Sequence, residues 1–97
     1  MRIEFADDGL ARICTEEAHK LGLPIAVIKA ARRRLIQLEA ARDERDLRNL
    51  KGLHYKKLRG DRAGQRSIRI NDQYRIVFTL SDDVPAVLTI VEIGDIH

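Results

Sequence analysis

The stretch from Ile68 to Phe78 admits few folds. Ile68 and Ile70 recur at alternate positions, and so do Tyr74, Ile76 and Phe78, so each set lines one face of a strand. Bringing both sets to the same side of a hairpin needs a connection with an odd number of residues, because a slip of one residue turns every side chain over. Asn71-Asp72-Gln73 is such a connection. The resulting register places Ile70 opposite Tyr74, and Arg69 opposite Arg75 on the other face. Like charges directly across a strand pair are destabilising unless something anionic separates them. A bound phosphate would serve; so would a carboxylate of the chain itself, for example Asp95 or Glu92, or screening by water.

Strand patterning extends on both sides of this hairpin. Residues 53–58, 66–70, 74–80 and 87–93 read as strands, separated by Gly60-Asp61-Arg62-Ala63-Gly64, by Asn71-Asp72-Gln73 and by residues 81–85. Residues 1–5 alternate like a further short strand. Between that strand and the meander the periodicity is helical. Asp7-Asp8 can cap a helix whose apolar residues are Leu10, Ile13, Cys14, Ala18 and Leu21, with Gly22 ending it. Pro24 suits the first turn of a second helix, with Ile28, Ala31, Leu35 and Leu38 as its apolar stripe. A short helical turn over residues 43–48 follows, with Leu47 and Leu50 facing inward. Helices first and strands afterwards is an α+β order. The expected architecture is an N-terminal strand and a helical hairpin packed on one face of a mainly antiparallel sheet, the opposite face open. At 97 residues the chain is read as a single domain over 1–97.

Charge distribution narrows the class of partner. Between Lys51 and Arg75 there are eight cations against two aspartates, a net +6 in a chain whose total is +3, so the remainder carries −3. A block of this kind on a strand-forming segment is what a polyanion-binding surface needs, since phosphate attraction grows with the number of cations on one face. Arg32, Arg33 and Arg34 are different: consecutive on a helix, they fan around its circumference and cannot grip one phosphate row. They read as solubilising charges or as a contact for an acidic protein partner. The single cysteine, Cys14, reads as a small buried apolar residue with no metal-ligand spacing around it, and no metal or cofactor is expected. No signal peptide or membrane-spanning run is evident, so a cytoplasmic protein is expected.

The polar groups with catalytic potential lie in the strand half: His54, Lys56, Arg59, Arg75 and His97. No nucleophile elbow, phosphate-binding glycine loop or dinucleotide fingerprint occurs. Cutting RNA requires none of these, because the RNA 2′-hydroxyl is itself the nucleophile. The protein must supply a base, an acid for the leaving 5′-oxygen, and cations for the charge on the phosphorane.

The run Gly60-Asp61-Arg62-Ala63-Gly64-Gln65-Arg66-Ser67-Ile68-Arg69-Ile70-Asn71-Asp72-Gln73-Tyr74-Arg75-Ile76-Val77-Phe78, together with the ending Val91-Glu92-Ile93-Gly94-Asp95-Ile96-His97, resembles the HigB toxins of the RelE/ParE superfamily. The resemblance implies a ribosome-dependent mRNA endoribonuclease acting in the decoding centre. It also implies restraint by a helix-turn-helix antitoxin of HigA type, with operator DNA reached only through the antitoxin complex. Position by position, Arg59 matches the Lys or Arg before the Gly-Asp-Arg, Arg75 the strand arginine on the phosphate, and His97 the terminal catalytic histidine. Lys56 falls where some members have histidine, and His54 lies two residues earlier. His54, Lys57, Arg62, Arg66 and Arg69 are the further RNA-binding candidates. Ile96 departs from the family, which usually has a tyrosine there. An alternative within the superfamily is a ParE-like toxin that binds DNA gyrase without cutting RNA.

Overall fold

The computed structural model describes residues 1–96. Five strands form one sheet in the order β1-β5-β4-β3-β2, where β1 is Arg2–Phe5, β2 Lys56–Lys57, β3 Arg66–Arg69, β4 Tyr74–Leu80 and β5 Val87–Asp95. All neighbours are antiparallel except β1 and β5, which are parallel. The helices are α1, Asp8–Ala11, α2, Ile25–Ala40, and α3, Glu44–Asn49. The α+β arrangement is thus as expected, and the central hairpin has the expected register: Arg69 stands opposite Arg75, and the Ile70 amide donates to the Tyr74 carbonyl at 2.8 Å.

One buried layer joins helices to sheet. Val27, Ile28, Ala31, Leu35 and Leu38 of α2 and Leu47 of α3 meet Ile68, Ile76, Phe78, Leu88 and Ile90 of the strands, with Ile70 just past β3. Every one of these strand residues belongs to a single face by the register. In β5 that consistency depends on a bulge. Val77 pairs with Glu92 but Phe78 pairs with Ile90, so Val91 is an extra residue on β5. Continuous alternation from Leu88 and Ile90 would have aimed Glu92 at the core. The bulge instead sends Ile93 to the helix side and Glu92 to the outer face.

Three expectations for the helical half are corrected. The first helix is not continuous: α1 is capped by Asp7, whose side chain accepts from the Leu10 amide, and is followed by two 3-10 turns, Arg12–Cys14 and Glu16–Leu21. Extended Thr15 separates them and caps the second, and Gly22 ends it in the left-handed conformation. Ile13 and Ala18 are buried, but the break turns Cys14 outward to an exposed position. Leu50 lies beyond the end of α3 and remains 38% exposed, whereas Leu47 is fully buried.

The three consecutive arginines of α2 prove to have separate tasks. Arg32 donates through Nε to the Ile13 carbonyl (2.6 Å) and through Nη2 to the Thr15 carbonyl (2.8 Å). Arg34 donates to the Arg69 carbonyl (3.0 Å) and the Gly52 carbonyl (3.4 Å). Both therefore clip irregular backbone to the helix by satisfying carbonyls outside any ladder. The fan that prevents them from sharing a phosphate lets them reach opposite sides of α2. Loss of the Arg32 clip is expected to destabilise the fold by about 1 kcal/mol, the net worth of a typical hydrogen bond. Arg33→Ala, at an exposed position, should change stability by less than about 0.5 kcal/mol. Urea unfolding of Arg32→Ala beside Arg33→Ala is the check; equal stabilities would refute the clip.

Candidate nucleic-acid interface

The face of the sheet away from the helices carries, in successive register rows, Lys56, Ser67, Val77 and Glu92, and then Arg69, Arg75 and Gly94. Ser67 and Val77 are fully buried although no helix covers them. Long polar side chains overlie this face: Arg62, from the Gly60–Arg62 turn, reaches Glu92 of β5 and forms an ion pair with it, and holds Gln65 at 3.1 Å. The sequence expectation that β2 spans residues 53–58 is corrected to a two-residue strand. Gly52 and His54 both have positive φ, which breaks the strand before Lys56. Leu53 is nevertheless anchored: it is fully buried, and its carbonyl accepts the Arg69 amide at 2.6 Å.

His54 becomes the hub that both opposed arginines grasp. Arg75 Nη2 donates to the His54 carbonyl at 2.7 Å, and Arg75 Nε to the buried Ser67 Oγ at 2.9 Å. Arg69 Nη1 lies 3.3 Å from His54 Nε2. Arginine offers only donors, so in this contact Nε2 takes the acceptor role. The anion between the two guanidiniums that the register demands is supplied in part by Asp72, whose carboxylate pairs with Arg69. Of the carboxylates that the sequence offers as alternatives, Asp95 accepts from the Gln73 side chain at 2.9 Å and Glu92 pairs with Arg62.

Arg75 has no ion pair among the described residues. Burial first, and then the Arg69 charge, lower its guanidinium below the ordinary arginine value. Both causes act against the cation, and the attraction of an added anion would offset them. Such an anion has a place: His54, Arg69, Asp72, Arg75 and Ile96 line a cleft of about 230 Å³ at the tip of the β3–β4 hairpin. Asn71 shapes that tip, its side-chain oxygen accepting from the amides of Gln73 (2.9 Å) and Tyr74 (2.8 Å).

Of the residues singled out from sequence, the cleft brings together His54, Arg69 and Arg75. Lys56 is exposed on the same face, one register row away. Arg59, also exposed, lies beyond it at the start of the Gly60–Arg62 turn. Arg66 and Lys57 pair with each other on the opposite face. There Arg66 Nε holds Glu44 Oε2 at 2.8 Å, and Glu44 also accepts from the Tyr55 hydroxyl. Arg66 is thus a strut between β3 and α3. His97 lies outside the described residues; its neighbour Ile96 lines the cleft. Sequence reasoning missed Ser67 and Asp72. Parity places Ser67 on the face of Arg69, and Asp72 follows Arg69 at i+3. Both signals were present, but neither residue type is distinctive.

Among the described residues no group of His, Cys, Asp and Glu could hold a metal ion, and no helix is long and apolar enough to cross a membrane. What the face presents is guanidinium and ammonium groups and a polar cleft lined by Arg69, Arg75, His54 and Asp72.

A family model for RelE-like toxins of type II toxin-antitoxin systems, HigB, matches residues 3–92. Toxin HigB-1 of Vibrio cholerae serotype O1 is 36% identical over 84 residues, covering 87% of this chain and 88% of that protein. The chain belongs to the HigB family of RelE-like toxins, and so is the toxin half of a pair with an antitoxin as its partner. Solved structures share its fold. A YoeB/ParE toxin from Agrobacterium tumefaciens aligns with a TM-score of 0.69 over 100% of both chains at 13% identity. The YoeB-YefM complex from Staphylococcus aureus gives 0.64 over 100% of this chain and 98% of that one at 18% identity. YafQ from E. coli gives 0.61 over 98% and 93% at 17% identity.

The strut behind the face yields a pH prediction. Burial, followed by the bond to Glu44, pushes the Tyr55 hydroxyl up to about 12, and the same bond lowers the Glu44 carboxyl. A raised tyrosine value means that the folded state keeps a proton the unfolded chain releases near pH 10. Its stabilising contribution is therefore complete below pH 10 and lost as pH rises toward 12. Tyr55→Phe should remove that component. Urea unfolding at pH 9 and pH 11 should show a smaller loss for the variant than for the parent; an equal loss would exclude Tyr55 as its source.

Proposed function

We propose that this toxin is a ribosome-dependent mRNA endoribonuclease, and that the cleft at the β3–β4 tip receives the scissile phosphate. The single observation that carries the reading is Arg75: half-buried, held in place by Ser67 Oγ and the His54 carbonyl, and without a carboxylate among the described residues. Two of its donors are engaged and its remaining N–H groups can face an anion in the cleft. A desolvated cation fixed beforehand is the electrostatic arrangement that favours a phosphorane over water solvation.

In this reading the substrate 2′-hydroxyl attacks the adjacent phosphorus as the bond from phosphorus to the 5′-oxygen breaks. The 2′-proton passes to a base and the 5′-oxygen takes a proton from an acid, leaving a 2′,3′-cyclic phosphate and a 5′-hydroxyl. We assign His97 to this acid-base chemistry, Lys56 to the developing charge, and Arg59 to RNA flanking the cleft. His54 acts as a scaffold, since its Nε2 already accepts from Arg69. Ile96, where the family usually has tyrosine, leaves the cleft one hydroxyl poorer. The RNA is presented by the ribosomal decoding centre in the cytoplasm, and no cofactor enters the reaction. The antitoxin is of HigA type, with a helix-turn-helix fold through which the pair reaches operator DNA.

The test is a pulse of expression followed by mapping of transcript 5′ ends. The parent should create new 5′ ends in translated messages. His97→Ala and Arg75→Ala should each lower cleavage by about 100-fold or more, the scale of a lost acid-base or electrostatic group, while retaining native circular dichroism. Ribosome-dependent cleavage persisting in both variants would refute the site. Growth arrest with intact transcripts and DNA-damage signalling would instead indicate a gyrase-binding toxin.

A further inference from the structure

The loop that joins β3 to β4 carries an anion into the cationic cleft. Asp72 is 94% exposed, yet its Oδ1 accepts from Arg69 Nη2 at the mouth of the cleft that Arg75 also lines. The register sets Arg69 against Arg75, and the carboxylate that pairs with Arg69 comes from an exposed side chain on the three-residue turn, not from the sheet. Its backbone is set independently, because Asn71 fixes the turn through the Gln73 and Tyr74 amides. Asp72 can therefore release Arg69 by side-chain rotation alone, with the hairpin unchanged.

We propose that Asp72 is a built-in stand-in for a substrate phosphate: it occupies the Arg69 donor until RNA enters, and a backbone phosphate beside the one on Arg75 then displaces it. Asp72 is thus an affinity-setting residue for the nucleic-acid cleft, and Arg69 a second phosphate contact. The inference rests on the cleft being the RNA site. Exposed ion pairs are weak, worth at most about fivefold in an equilibrium, so displacement is easily driven by an RNA strand already held through the neighbouring phosphate on Arg75. While paired, the carboxylate holds the Arg69 donor and so disfavours occupancy by isolated small anions. A polyanion that engages Arg75 and the cations along the face overcomes this; a single phosphate does not.

The experiment measures binding of a single-stranded RNA oligonucleotide, 2′-O-methylated throughout so that it cannot be cut, at one fixed low ionic strength. Asp72→Asn should bind about three- to fivefold more tightly than the parent. Arg69→Gln should bind more weakly, and adding Asp72→Asn to it should recover little, because the carboxylate acts by holding that guanidinium. Asp83→Asn, which removes the same charge from the exposed β4–β5 loop, should leave affinity within about twofold. Circular dichroism confirms that each variant is folded. Unchanged or weaker binding by Asp72→Asn overturns the inference while leaving the RNA site intact. An equal gain from Asp83→Asn, or a full gain in the Arg69→Gln background, reduces the effect to net charge and also overturns it. A parent protein that binds no RNA overturns both this inference and the cleft assignment.

Discussion

Two guanidinium groups face each other across the β3–β4 ladder, and much of the outer face is arranged around keeping them there. The opposition is not a choice made locally. Ile70 and Tyr74 must share the helix side with Ile68, Ile76 and Phe78, and a three-residue turn then forces Arg69 against Arg75. A like-charge pair of this kind is destabilising on its own. The chain answers it unequally: Asp72 pairs with Arg69, whereas Arg75 receives only neutral acceptors, Ser67 Oγ and the His54 carbonyl. The imbalance leaves one cation solvated by protein dipoles and not by charge, beside an open cleft.

Holding that imbalance requires the segment before β2 to be irregular. His54 can present its carbonyl to Arg75 and its ring to Arg69 only because Gly52 and His54 leave the strand conformation. The irregular backbone is tied down from behind, where Arg34 of α2 reaches the Gly52 and Arg69 carbonyls and Leu53 is buried. On the far side of the short β2, Glu44 joins Tyr55 and Arg66 and secures α3 to the sheet. With few aromatic residues to fill the interior, the fold uses arginines as clips between elements as well as surface charges. That use explains why the charge block read from sequence overstates the RNA-facing surface: Arg66 belongs to the helix side and Arg62 is ion-paired across the sheet.

Period and parity were legible in the sequence because they follow from repeating side-chain direction. The β3–β4 register, the Asp7 cap, the α2 stripe and the inward Leu47 all came from such patterns. What escaped depended on single positions where the repeat fails. Thr15 divides the first helix and exposes Cys14; His54 takes a left-handed conformation that no composition rule demands; and Val91 is one residue too many. The residues of the cleft and its face divide in the same way. Arg69 and Arg75 followed from register, but Ser67 and Asp72 are common residue types whose importance appears only once Arg75 and Arg69 are seen to hold them. Lys57 was chosen for its charge alone, and the register sets it on the other face.

The Val91 bulge has the furthest consequence, because it decides which of the last residues meets the cleft. With the extra residue, Glu92 and Gly94 take the outer face, and continuation of that parity brings Ile96 to the lining of the cleft. A position with the usual family tyrosine would there offer a hydroxyl to the phosphate; an isoleucine offers only an apolar wall. Proton transfer must then come from groups around that wall. His54 is engaged as a scaffold in this arrangement, its Nε2 lying 3.3 Å from Arg69 Nη1 and its carbonyl accepting from Arg75. Freeing Arg69 from Asp72 would not free His54. The isoleucine leaves Arg69 and Arg75 as the cleft's charged donors toward a phosphate, and in the proposed reaction the demand for a base falls on His97 and Lys56.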